Sequence, residues 1–317
     1  MKPPYTVTSN IIQLVSEVSH KIGELNASFL TQQSPALRKR NRIRTIQASL
    51  AVEGNTLSIN QVTAIIESKR VLGPAKDIIE VSNAIEVYKQ IDKFNPFNEK
   101  SFLAAHKMLM QGLIKNAGQY RSAGAGIVKA AQITHVAPPA SNVPFLMKDL
   151  FKYLQQSKEL LLIKSCVFHY EMEFIHPFAD GNGRMGRLWQ TLLLMQQYAV
   201  FEFLPFETLI SKNQKSYYQA LSKSDKQGES TIFIEFMLTI LCNSLDELLA
   251  ERSGPISTSD RIRIFLSTEI KEFTRKDYMN YFKTISSATA SRDILFAVQE
   301  KLVKKFGDKN KAFYKVR

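Results

Sequence analysis

Across most of this chain apolar residues recur every three or four positions, a spacing that turns them to one side only if the backbone is helical. Residues 7–32 carry Ile11, Ile12, Val15, Val18, Ile22 and Leu25 on one stripe. The same period predicts helices over 38–52, 76–94, 98–113, 144–155, 160–174, 182–198, 205–210, 212–222 and 231–250. Ser58 and Asn98 stand where N-caps belong. One stretch breaks the pattern. Ile127, Val128, Ile133 and Val136 are β-branched, Gly126 precedes them, and Pro138 and Pro139 follow. That predicts a short strand or hairpin over 127–136 in an otherwise mainly α fold.

A chain of 317 residues suits two or three domains, and 44% hydrophobic with 22% charged residues is an ordinary globular balance. Cys166 and Cys242 each lie in an apolar run with no metal-binding spacing, so both read as buried, reduced thiols. The first ten residues hold two prolines and no apolar core, and nowhere do about 18 apolar residues follow one another. These features predict a soluble cytoplasmic protein without a membrane partner. The net charge of +13 favours a polyanionic partner or serves solubility. A composition shift at 251–259, with Gly254, Pro255, three Ser and a Thr, marks a linker. Beyond it, helices over 261–271, 275–282 and 287–300 and strands over 302–306 and 312–316 suggest a winged helix-turn-helix.

The segment most informative about chemistry runs His176-Pro177-Phe178-Ala179-Asp180-Gly181-Asn182-Gly183-Arg184-Met185-Gly186-Arg187. A glycine-rich turn that opens a helix leaves backbone N–H groups unpaired, and the helix dipole makes them an anion site. Arg184 and Arg187 stand three apart and can project toward the same anion, which suggests a polyphosphate. Asp180 is a carboxylate of the kind that holds Mg²⁺ against phosphate oxygens. His176 is the group there able to take a proton near neutral pH. Singly, each has an ordinary explanation as a cap, a turn or a solvated face. Together they fit transfer of a phosphorus group to a hydroxyl.

Upstream, Ser49 and Glu53 lie four apart on one helical face, and Gly54 stands at a C-cap position. Glu53 is then an anion at the helix end where the dipole disfavours it, so a cationic partner is expected.

The segment from His176 to Arg187 resembles the signature of the Fic (Fic/Doc) family at every defining position. The resemblance extends over roughly residues 41–250. It includes Gly118-Gln119-Tyr120-Arg121 and His135-Val136-Ala137-Pro138-Pro139, which look like the flanks of the family's target-binding hairpin. The resemblance implies a Fic helical core with a short β-hairpin flap and AMP transfer from ATP, aided by Mg²⁺ or Mn²⁺, to a protein hydroxyl. His176 would deprotonate that hydroxyl, and Asp180 would hold the metal ion between the α- and β-phosphates. Gly181, Asn182 and Gly183 would line the phosphate cradle, and Arg184 and Arg187 would bind the β- and γ-phosphates. Tyr217 and Tyr218, on a segment that looks like the family's helix after the core, would join the nucleotide site. The Doc branch transfers a phosphate instead. Its motif departs from this one where Gly183 stands, which argues for AMP.

Ser49 and Glu53 resemble the family's inhibitory motif. Glu53 would pair with Arg187 and deny it to the γ-phosphate. The implied domains are 1–110, carrying the inhibitory helix, 111–250, the catalytic core, and 251–317, winged-helix-like. That last segment holds fourteen Lys/Arg against seven Asp/Glu, many of the basic residues around the expected wing. DNA and protein are both open as its partner. A homodimer, a transferase of another nucleotide or of phosphate, a DNA-binding regulator with a nucleotide-sensing core, and removal of AMP stay open as alternatives. His20, His106, His135 and His169 suggest no metal site. Trp189 and residues 192–194 read as core, and the basic run Arg38, Lys39, Arg40, Arg42 and Arg44 as a solvated helix face.

Overall fold

The computed structural model describes residues 2–29, 35–124, 126–129, 132–253, 258–266, 268, 270–283, 285–307 and 312–316. Residues 254–257 of the expected linker 251–259 lie outside them, as do residues 308–311 of the expected wing. The chain forms two compact units: residues 1–26 with 39–247, and residues 27–38 with 248–317. Residues 1–26 and 39–110 belong to the same unit as residues 111–247 of the expected core.

The first unit is helical, as the periodicity predicts. It is built from α1 (Ser9–Phe29), α2 (Pro35–Val52), α3 (Ile59–Ile66), α4 (Ala75–Lys89) and α5 (Glu99–Leu109), followed by α6 (Val143–Gln156), α7 (Leu161–Ile175) and α8 (Asn182–Met195). Then come α9 (Phe206–Lys212), α10 (Gln214–Gln227) and α11 (Thr231–Ser253). The buried stripe of α1 is Ile11, Leu14, Val18, Ile22 and Leu25, whereas Ile12 is 62% exposed and lies off it. Ser58 closes a capping box with Gln61, and Asn98 accepts from the Lys100 and Ser101 amides, so both expected caps are made. Several helices stop short of expectation. The segment expected over 76–94 breaks after Lys89 into a 3₁₀ turn at Ile91–Lys93.

Two helices position everything that follows. α7 is buried on nearly every side, which makes it the central helix of the unit. α8 packs along it. Phe102, Phe151, Phe168 and Trp189 interlock around them edge to face at centroid distances of 5.0–6.1 Å. The hairpin pairs β1 (Gly126–Lys129) antiparallel to β2 (Gln132–Val136), with Gly126 opposite Val136.

The second unit contains α12 (Thr258–Leu266), β3 (Glu272–Phe273), α13 (Arg275–Tyr281), α14 (Ser287–Gln299), β4 (Val303–Phe306) and β5 (Phe313–Val316). In chain order these are a helix, a short strand, two helices and a strand pair. The strand β3 was not expected. The first helix ends at Leu266 rather than 271, because Glu272 and Phe273 pair with β5 to complete the sheet β3-β5-β4. Ile262, Phe265, Phe273, Tyr278, Ile294 and Val303 form this unit's own core. Among the described residues, no helix is long and apolar enough to cross a membrane. Cys166 and Cys242 are buried free thiols, and burial pushes Cys166 up to about 12, out of nucleophilic range.

Candidate active site

α7 ends on His176, which sits in the left-handed region at φ 49° and ψ 60°. A non-glycine residue there needs outside support. Arg121 gives it. Its Nε donates to the His176 carbonyl at 2.7 Å, and its Nη2 donates to the carbonyls of Pro138 (2.6 Å) and Ile175 (3.3 Å). Nη1 donates to the Ala123 carbonyl at 2.9 Å. The Arg121 amide donates to the Pro177 carbonyl at 2.9 Å. One buried guanidinium thus ties the loop after α7 to both flanks of the hairpin.

The turn into α8 is fastened from within. Phe178 is fully buried and stacks on His106 with ring centroids 3.5 Å apart. The Gly118 amide donates to His106 Nδ1 at 2.9 Å, so Nε2 carries the proton and donates to the Asp180 carbonyl at 3.0 Å. Burial lowers the His106 pKa to about 4, which keeps the ring neutral. Asn182, also buried, exchanges two 2.9 Å hydrogen bonds with the Phe178 backbone. Its side chain closes the loop rather than lining a phosphate site. Gly181 adopts φ 86°, and a Cβ there would lie 2.7 Å from Met110 Sδ.

This frame presents the first turn of α8 as an anion site, and the structure fills it with a carboxylate. A Cβ on Gly183 would lie 2.2 Å from Glu53 Oε1. That oxygen accepts from Arg187 Nη2 at 2.8 Å. Arg187 is fully buried, and it also donates to Ser49 Oγ (3.1 Å) and the Ser49 carbonyl (2.8 Å). Burial works against the guanidinium charge, but the adjoining Glu53 carboxylate outweighs it and raises the Arg187 pKa. The cationic partner expected for Glu53 is therefore Arg187.

Glu53 reaches this point because of how α2 ends. The Asn55 amide donates to the Leu50 carbonyl (3.2 Å) and the Gly54 amide to that of Ala51 (3.0 Å), with Gly54 at φ 91°. This is a Schellman closure with Gly54 at C′. The Val52 carbonyl accepts from Gln214 Nε2 at 2.6 Å and from the Tyr218 hydroxyl at 3.5 Å. Asn55 donates to Glu80 Oε2 at 2.8 Å.

Arg184, expected on the phosphates, is held by acidic side chains in this structure. It is 4% exposed and bridges two carboxylates, Glu80 Oε1 at 3.0 Å and Asp180 Oδ1 at 2.9 Å. Tyr217 requires a correction. It is 1% exposed, and its hydroxyl donates to His169 Nε2 at 3.0 Å, so it shows no surface to a nucleotide. His169 in turn donates from Nδ1 to Gln190 Oε1 at 2.7 Å, and burial lowers its pKa to about 3. These two residues form packing behind Arg187. Tyr218 lies beside the end of α2, its hydroxyl 3.5 Å from the Val52 carbonyl. Sequence reasoning assigned no function to Arg121, His106, Glu80 or Gln214. Most of their partners lie far along the chain, and of the four only Arg121 falls in a segment the sequence singled out, Gly118-Gln119-Tyr120-Arg121.

Among the described residues no cluster of three or more His, Cys, Asp or Glu could cage a metal ion. Asp180, with 45% of its side chain exposed, still fits Mg²⁺. That ion binds through one or two carboxylates and takes its remaining ligands from water and substrate phosphates.

The site thus combines a helical scaffold, a left-handed His176 and the glycine-capped start of α8. A family model described as Fic/DOC family matches residues 96–194. The crystal structure of a Fic family protein from Desulfovibrio desulfuricans G20 is 40% identical, aligns over 100% of this chain and 98% of its own, and has a TM-score of 0.76. This chain belongs to the Fic/DOC family. Protein adenylyltransferase Fic of Nematostella vectensis is 25% identical over 262 residues, which is 75% of this chain and 57% of that relative. Protein adenylyltransferase fic-1 of Caenorhabditis elegans is 29% identical over 226 residues, 65% of this chain and 41% of that relative. The chain spans about half the length of the curated relatives it matches.

Proposed function

We propose that this chain is a self-inhibited protein adenylyltransferase. The observation that carries the reading is the Glu53 carboxylate lying against Gly183 and Arg187, where an anionic substrate would otherwise lie. The substrate is ATP. A target Ser, Thr or Tyr hydroxyl oxygen bonds to the α-phosphorus, the bond to the β-phosphate oxygen breaks, and pyrophosphate leaves. His176 takes the hydroxyl proton. The amides at the start of α8 stabilise charge on the phosphates, and Arg187, once released from Glu53, holds the terminal one. Asp180 would hold Mg²⁺ or Mn²⁺, whose charge offsets that of the triphosphate. The hairpin at 126–136 presents a backbone edge that a target segment can extend. Two buried free thiols support a reducing compartment, the cytoplasm.

Incubation with α-labelled ATP and Mg²⁺ or Mn²⁺, followed by mass spectrometry of the protein itself, tests this. Glu53→Gly should raise self-labelling severalfold or more over wild type. His176→Ala in that background should abolish it while circular dichroism stays unchanged. Equal labelling of Glu53→Gly and wild type would remove self-inhibition, and an active His176→Ala would remove the assigned base. Parallel arms with GTP, UTP and CTP decide the nucleotide, and γ-labelled ATP reports phosphate transfer.

A further inference from the structure

The second unit holds a surface that the transfer reaction does not use. Asp293, at the middle of α14, is fully buried and accepts from Arg261 Nε (2.6 Å) and Nη2 (2.8 Å) and from the Tyr278 hydroxyl (3.1 Å). Ala290, Ile294 and Ala297 pack into the core on the same side. A buried, doubly bonded carboxylate fixes how α14 is rotated, because any other rotation strands a charge in the core. The opposite face is thereby committed to solvent. Ser287, Ala288, Ser291, Arg292, Leu295 and Gln299 are all exposed there and form one continuous stripe at helical spacing.

The chemistry of the stripe is selective. Leu295, 56% exposed, is its only large apolar side chain. The aromatic anchors that make a protein interface tight are absent from it. Arg275, exposed at the start of α13, donates from Nη1 to Ser291 Oγ at 3.3 Å, so a second guanidinium lies along the stripe beside Arg292. α13 and α14 are joined by a turn of a few residues, the helix-turn-helix connection. In the hairpin that follows, Lys304 and Lys315 are exposed and stand directly opposite each other across the strand pair. Like charges so placed are destabilising, and Glu272 compensates only one of them, Lys315, at 2.8 Å. The fourteen Lys/Arg against seven Asp/Glu over 255–317 extend the same bias.

From this rigidly presented, small-residue helix face flanked by Arg275 and Arg292, we infer that the second unit binds duplex DNA, with α14 in the major groove and the two arginines on phosphates. A groove about 12 Å wide admits one helix, and a stripe of small polar residues with one apolar contact suits base edges better than a hydrophobic pocket. This goes beyond AMP transfer and stands or falls apart from it.

The test is fluorescence anisotropy of the full chain with a labelled 30-base-pair duplex of mixed sequence, from 50 to 200 mM KCl. The expected result is binding at 50 mM that weakens at least tenfold by 200 mM, as counterion release requires. Arg275→Ala/Arg292→Ala should weaken binding at least tenfold at 50 mM and reduce the logarithmic salt slope by about 2. Lys304→Ala should reduce that slope by about 1. Melting temperature and self-labelling should not change, since all three side chains are exposed and outside the transfer site. No binding at 50 mM would overturn the inference. So would wild-type affinity in the double arginine variant, which would put the contact elsewhere. Tighter binding to the single strand alone than to the duplex would overturn it too.

Discussion

His176 occupies a backbone conformation that costs a non-glycine residue about 1–2 kcal/mol, and Arg121 is what holds it there. The Arg121 fork meets carbonyls on both sides of the loop, a geometry that the point charge of lysine does not reproduce. Arg121→Lys should therefore lower the rate of AMP transfer at least tenfold with a smaller change in KM for ATP, measured by initial rates in the Glu53→Gly background. Gly183 acts by what it lacks. A methyl group there would lie 2.2 Å from Glu53 Oε1, the far end of a flexible side chain that can yield. Gly183→Ala should displace the carboxylate. Adding Glu53→Gly to Gly183→Ala should then raise self-labelling by a smaller factor than adding it to wild type, and a cycle of the four proteins measures the difference. Equal factors in both backgrounds would separate Gly183 from the docking of Glu53.

At the scale of the helix, inhibition depends on where α2 stops. Its Schellman closure places Glu53 one residue before Gly54, and the Gly54 φ of 91° suits glycine alone. Gly54→Ala should cost about 1 kcal/mol and loosen the last turn, lowering the melting temperature by a few degrees. The last carbonyl of α2 is also gripped from α10 by Gln214. Gln214→Ala should raise self-labelling about two- to fivefold, less than Glu53→Gly, because it frees the helix end without removing the competing charge. Unchanged labelling would show that the salt bridge alone holds α2. The glycine closure was legible in the sequence, since it depends on neighbouring residues. The Gln214 contact was not, since 162 positions separate the two partners.

For the molecule as a whole, the core carries an ionisable group whose cost varies with pH. Glu207 is fully buried, and desolvation raises its pKa to about 8 despite nearby Arg187 and a 3.4 Å contact from Thr191. Between about pH 4.5 and 8 the unfolded chain ionises this carboxyl while the folded chain keeps it protonated. The unfolded state then binds fewer protons, so stability falls as pH rises through that window and levels off above it, by at most roughly 5 kcal/mol. Glu207→Gln should flatten the decline of melting temperature between pH 5 and 8, as read by scanning calorimetry at each pH. What the sequence alone determined was local. Apolar period, caps at Ser58 and Asn98, the glycine turn before α8 and the hairpin at 126–136 each follow from residues within a few positions of one another. The tertiary structure decided the pairings. Glu53 meets Arg187 across 134 positions and Glu80 meets Arg184 across 104, while Tyr217, expected beside the nucleotide, turns into the core. A chain with 29 acidic side chains offers many partners for each arginine. Only the packing of distant helices, which sets which carboxylate is brought against which guanidinium, selects among them.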